Sequence, residues 1–153
     1  MKQWEPHALK LLDKSFSGVR QELNELDWKV ALSPNREKLS QHLSAFANYP
    51  GGGFLIFGID NKTCQPVGIG AAACKEIIAT LSTIANTTLN PPVAIEHADI
   101  LYEGYSLLII FIHESAKKPV YIKNGTIENS YVRSDSTTHK ASPAELAELL
   151  LNG

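Results

Sequence analysis

The sequence predicts an α+β fold: a mixed, mainly antiparallel sheet with helices packed on it. Three observations lead there. Phe54-Leu55-Ile56-Phe57-Gly58-Ile59 is a continuous apolar run, the pattern of a central strand covered on both faces. Val93–Tyr102 and Tyr105–Ile112 are separated only by Glu103-Gly104, the spacing of a two-residue hairpin. Apolar residues at helical spacing alternate with these strands, and helices mixed with hairpins form layers around one sheet.

Taken in order, residues 6–16 read as a short amphipathic helix, with Pro6 in its first turn and Leu9, Leu12 and Phe16 facing inward. Gly18 ends it. Leu26, Trp28 and Val30 then alternate with Glu25, Asp27 and Lys29, the period of a half-buried strand. The apolar trio is expected to face the core and the charged trio the opposite side. Ser33-Pro34 predicts the start of a second helix, a cap followed by proline at the first helical position. Leu39, Leu43, Phe46 and Ala47 form its stripe, and Pro50-Gly51 stops it.

After the apolar strand, Asp60-Asn61-Lys62 turns the chain and Pro66–Ile69 returns as a short antiparallel strand. Cys74, Ile77, Ile78, Leu81 and Ile84 mark a third helix, and Pro91-Pro92 separates it from the hairpin. Val120–Ile122 and Ser130–Arg133 add two short strands around an Asn124-Gly125 turn. Ser142-Pro143-Ala144-Glu145 is a capping box, opening a last helix with Leu146, Leu149 and Leu150 as its buried stripe. Residues 1–20 read as an N-terminal helical extension and 21–153 as one domain.

Composition narrows the function classes. A chain of 153 residues, 44% hydrophobic and 20% charged, is of single-domain size and ordinary globular character. Its net charge of -2 supplies no global basic field, so a nucleic-acid partner must meet a local patch. Cys64 and Cys74 have no metal-ligand spacing, which suits reduced thiols in a cytoplasmic protein. The start lacks a signal-peptide pattern, and no apolar stretch is long enough to span a bilayer, so no membrane partner is expected.

The chemistry-bearing residues lie in two places. Asp27 and Lys29 share one strand face, where a carboxylate can ligate a metal and an ammonium can steady a phosphate. Glu22 enters the same strand, and Asp60 follows the central one, so adjacent strands would let Glu22, Asp27 and Asp60 share a magnesium or manganese ion. Lys117, Lys118, Tyr121, Tyr131, Arg133 and Lys140 gather near the C-terminal strands, as a basic and aromatic stripe for a nucleic-acid backbone and its bases. Gly51-Gly52-Gly53 precedes a strand and lacks the Lys-Ser/Thr of a phosphate loop, so no nucleotide cofactor is expected. His42 sits between Leu39 and Leu43 and reads as a partly buried structural histidine.

The order Glu22-x-x-x-x-Asp27-Trp28-Lys29, Ser44-Ala45-Phe46-Ala47-Asn48, then Gly51-Gly52-Gly53-Phe54-Leu55-Ile56-Phe57-Gly58-Ile59-Asp60 resembles the Schlafen AlbA-type domain family. Val67-Gly68-Ile69, Lys118-Pro119-Val120-Tyr121 and Tyr131–Thr137 resemble its later segments, so the likeness covers about residues 21–150. The resemblance implies a DNA-binding or RNA-binding domain, including transcriptional regulators. Some members of that family are endoribonucleases using three carboxylates, which correspond by position to Glu22, Asp27 and Asp60. Asp27 stands where the family usually has glutamate, and Asp135 where it usually has glycine.

Three functions follow as expectations. The first is nucleic-acid binding. The second is a metal-dependent ribonuclease with catalytic Glu22, Asp27, Lys29 and Asp60, using Mg or Mn. The third is a protein-interaction domain that self-associates as a homodimer.

Overall fold

The computed structural model describes residues 1–152 and has the α+β architecture. Its central sheet has strand order β1-β2-β7-β6, built from β1 (Leu26–Lys29), β2 (Gly53–Phe57), β7 (Tyr105–Ile112) and β6 (Ile95–Tyr102). β1 runs parallel to β2, while β2–β7 and β7–β6 are antiparallel, so the sheet is mixed and mainly antiparallel.

Strand alternation divides the core in two. Leu55 and Phe57 of β2 point toward α2 (Arg36–Ala47) and α3 (Ala71–Thr87), meeting Leu43, Phe46, Leu81 and Ile84. Phe54 and Ile56 point the other way, joining Leu26 and Trp28 of β1 beneath α1 (Glu5–Ser15). A strand buried on both faces needs apolar residues at every position, which is why this run carries no alternation. All five residues of β2 are buried.

Smaller pairs decorate this frame. β3 (Ile59–Asp60) pairs with β4 (Gln65–Pro66), and β5 (Leu89–Asn90) pairs with β8 (Tyr121–Ile122). β9 (Tyr131–Ser134) and β10 (Thr137–Lys140) form a hairpin whose turn residues Asp135 and Ser136 both have positive φ. The sequence pattern misses β5 and β10, because neither is apolar enough to stand out. α4 (Pro143–Asn152) follows, with Ser142 N–H donating to Glu145 Oε1 and Glu145 N–H donating to Ser142 Oγ, the expected capping box.

Polar residues of α2 fasten the C-terminal strands to this frame. Ser44 Oγ donates to Val120 O and accepts from Tyr131 N–H. Asn48 closes three further bonds, taking Val120 N–H on its oxygen and giving its amide to Val120 O and Tyr131 O. All are buried or half-buried, so each replaces a water contact that folding removes. The Ser44–Asn48 block is therefore a structural clasp. Gly52 and Gly53 complete it: a Cβ on Gly52 would overlap Ile112 O, and one on Gly53 the Phe46 ring.

Five expectations need correction. Val30 lies beyond the end of β1 and is 49% exposed instead of facing the core, and the return strand is Gln65–Pro66 rather than Pro66–Ile69. α2 starts at Arg36 rather than Pro34, because Asn35 supplies the cap and its Oδ1 accepts from Lys38 N–H. Leu149 is the buried leucine of α4, whereas Leu150 is 51% exposed, since the helix touches the body along one narrow line. The charged face of β1 is not solvated: Asp27 is only 5% exposed, because α2 and the β9–β10 hairpin cover it.

Candidate functional site

The site grows from β1 and the loop before it. Leu26 and Trp28 are drawn beneath α1, so the alternating geometry of a strand sends Asp27 and Lys29 to the α2 side. Lys29 Nζ then lies 3.2 Å from Asp27 Oδ2, with their side chains 21% and 7% exposed. Leu23 and Leu26 exchange backbone hydrogen bonds, which folds the preceding loop back along the strand. That return places Glu22 over Trp28, whose N–H donates to Glu22 Oε2 at 2.7 Å.

Glu22 and Asp27 thereby become contacting carboxyls, and the environment separates their acidities. Burial pushes Glu22 up to about 8, reinforced by its hydrogen bond to Asp27 and by that group's charge. Burial also pushes Asp27 upward, yet the hydrogen bond from Glu22 and the charges of Lys29, His42 and Arg133 outweigh it and hold it below the usual carboxylate range. At neutral pH Glu22 is thus the proton donor and Asp27 the anion. Asp27 Oδ2 is held by charge rather than by an aligned hydrogen bond.

Buried His42 and Arg133 close over the pair. Burial lowers His42 to about 4, so its ring is neutral at pH 7, with Nδ1 3.8 Å from Asp27 Oδ2. Arg133 Nη1 donates to Thr138 Oγ1, which also lies 2.8 Å from His42 Nδ1. His42 Nε2 is buried without a partner. Arg133 Nε and Nη2 donate to Asn24 O and Leu23 O at 3.0 and 2.9 Å, while its guanidinium covers the Phe46 ring. Ser136 secures the same loop, its N–H donating to Asn24 Oδ1 and its hydroxyl to Glu22 O.

The predicted site residues therefore separate. Glu22, Asp27 and Lys29 come together. Asp60 does not join them through any hydrogen bond: its Oδ1 accepts from Lys62 N–H at 2.8 Å and Thr63 N–H at 3.4 Å, the geometry of an Asx turn. Among the described residues no group of three or more His, Cys, Asp or Glu side chains is placed to hold a metal. The residues also do not fit a three-carboxylate magnesium or manganese site chemically. Glu22 holds a proton and the Trp28 amide, and Asp27 already faces an ammonium.

The C-terminal stripe divides as well. Arg133 is 6% exposed and fully engaged within the protein, so it is a brace and not a free phosphate contact. Lys118 pairs with Glu114 at 2.6 Å. Tyr121 Oη accepts from Asn90 Nδ2, and Tyr131 packs half-buried against the core, so neither ring is a bare stacking platform. Lys117 and Lys140 are exposed and make no ion pair among the described residues. Sequence reasoning missed the role of His42, Thr138 and Ser136. The one signal was a histidine on an otherwise apolar helical stripe.

Comparison with known proteins agrees with this architecture. The pattern of the family described as Schlafen, AlbA_2 matches residues 22–142. The DIP2311 protein of Corynebacterium diphtheriae has a similar structure, with a TM-score of 0.62 at 19% identity over 96% of this chain. This chain spans 28% of that protein. The N-terminal domain of a protein from Nitrosomonas europaea, named "Putative ATP-dependent DNA Helicase RecG-related Protein", superposes with a TM-score of 0.60 at 25% identity. There the match covers 88% of this chain and 93% of the other. No curated protein matches the chain.

Proposed function

The chain belongs to the Schlafen AlbA_2 family, and from that premise we propose that it is a nucleic-acid-binding domain. The observation that carries the reading is a convergence of charge. Burial is the main cause that lowers His42 and the charge of Asp27 opposes it, but Lys29, Arg133 and Lys38 all act with burial, so three cationic side chains gather around one carboxylate in a chain of net charge -2. Lys29 brings an ammonium paired with Asp27 to that place and Lys38 an exposed one, and Lys117 and Lys140 offer further exposed ones. Such groups position a phosphate backbone without reading sequence. The relationship to a domain from a protein named as helicase-related supports the same reading.

Binding of labelled RNA and DNA across a salt series tests it. We expect affinity to fall steeply with salt and the slope to drop by roughly 1 for each phosphate-contacting lysine changed to alanine. Lys29→Ala and Lys38→Ala are expected to weaken binding more than Lys117→Ala or Lys140→Ala. No binding at low salt to any nucleic acid tried would sink the proposal. A regulatory role in transcription would show as preference for one duplex sequence.

One observation favours a second reading, cleavage of RNA: Glu22 and Asp27 are adjacent, with Lys29 beside them. Incubation of RNA with Mg²⁺ or Mn²⁺ distinguishes the two. The engaged state of Glu22, Asp27 and Asp60 predicts intact RNA. Cleavage by the wild type that Asp27→Ala abolishes would establish the nuclease instead.

A further inference from the structure

We infer that the free edge of β6 joins two copies of this chain, with β6 running antiparallel to its partner about a twofold axis at Ala98. β6 is eight residues long and is the last strand of the central sheet. Its hairpin to β7 turns through Glu103 and Gly104, both at positive φ, so Tyr102 and Tyr105 form the hydrogen-bonded pair that closes a two-residue loop. Alternation then directs the polar backbone of Tyr102, Ile100, Ala98 and Glu96 toward β7. The bond from His113 N–H to Ala94 O continues the same parity. The N–H and C=O groups of Ile95, His97, Asp99 and Leu101 therefore face outward, and none has a backbone partner among the described residues. Such an edge is a template for another strand.

The side chains on this edge select a second copy as the occupant. Ile95, His97, Asp99 and Leu101 read apolar, donor, acceptor, apolar, a pattern that complements itself when reversed. With the axis at Ala98, His97 opposes Asp99 of the partner subunit twice, and Ile95 opposes Leu101 of the partner subunit twice. Every outward backbone group of the four residues gains a partner. Moving the register one pairing step either way sets His97 against itself or Asp99 against itself. Two steps place His97 against Ile95, or Asp99 against Leu101, and strand the remaining groups. One register alone joins opposite chemistry throughout, as a twofold contact requires. It also covers Leu101, which is 75% exposed in the single chain. The product is one continuous sheet of two copies.

Light scattering and sedimentation from micromolar to millimolar concentration test this. The wild type is expected to show a concentration-dependent dimer. His97→Asp opposes two carboxylates and should raise the dimer dissociation constant about tenfold, and Asp99→Lys should weaken it similarly. The double variant His97→Asp/Asp99→Lys restores the pairing and should restore the dimer. In a Cys64→Ser/Cys74→Ser background, Ala98→Cys should form an intermolecular disulfide under mild oxidation, since residues at the axis face each other within disulfide reach. Glu96→Cys in the same background should not. A wild type that stays monomeric at millimolar concentration overturns the inference. So does a dimer that His97→Asp leaves unchanged and Ala98→Cys does not cross-link.

Discussion

β1 and β6 are the two edges of one sheet, and they meet their surroundings in opposite ways. At β1 the outward N–H of Leu26 donates to Leu23 O and that of Trp28 donates to Glu22 Oε2, so the returning loop seals the edge. Arg133 and Ser136 then hold the loop in place. At β6 four outward residues have no such seal among the described residues. The contrast teaches what the acidic cluster does for the fold: Glu22 caps a strand edge, and the carboxyl beside it is balanced by Lys29. A residue type associated with chemistry is first of all closing a sheet.

The largest disruption of the sealed edge comes from its brace. Arg133→Ala leaves Asn24 O and Thr138 Oγ1 without donors, takes one of two donors from Leu23 O and uncovers Phe46. A loss of about 4 kcal/mol is expected in urea denaturation. Next comes the inward side of β6, where Ala98→Pro removes a ladder bond to β7 and should cost about 3 kcal/mol. Glu22→Ala strips the acceptor from Trp28 N–H and should cost about 2 kcal/mol, while Glu22→Gln, which keeps an acceptor, loses much less. A retained midpoint in Glu22→Ala would show that water seals β1 equally well.

The sealed edge also has a pH signature. Glu22 keeps its proton up to about 8 in the fold but only to 4.5 when unfolded, so the folded chain binds more protons between those values and stability falls as pH rises. His42 acts with the opposite sign: lowered to about 4 from 6.5, it lets stability fall as pH drops through that window. The two oppose each other below 6.5, and Glu22 acts without His42 above it. Denaturation midpoints should therefore decline from about pH 6.5 to about pH 8, and Glu22→Gln should flatten that decline. Smallest of all is His97→Pro on the outward side of β6, expected to shift the single chain by under about 1 kcal/mol because no ladder bond is lost there. A large loss would mean that the edge is already sealed.

Much of the fold was legible because its signals are local. The apolar run of β2, the Glu103-Gly104 hairpin and the Ser142–Glu145 capping box each follow from neighbouring residues, and each stands in the structure. β10 was not legible, since Thr137–Lys140 is polar and owes its strand to pairing with β9. The site was legible only in part. The two-residue spacing of Asp27 and Lys29 foretells their contact, whereas Glu22 reaches them through a loop return that no periodicity encodes.

Alternation along β1 was enough to specify which of its residues share a face and the pairing of Asp27 with Lys29. Only tertiary structure could decide that α2 and the β9–β10 hairpin would close over that pair. Arg133 lies more than a hundred residues from the carbonyls it holds. Burial then raises Glu22, lowers His42 and leaves Asp60 to its own turn. Charge placement is written locally, but the dielectric around a charge depends on everything that packs against it.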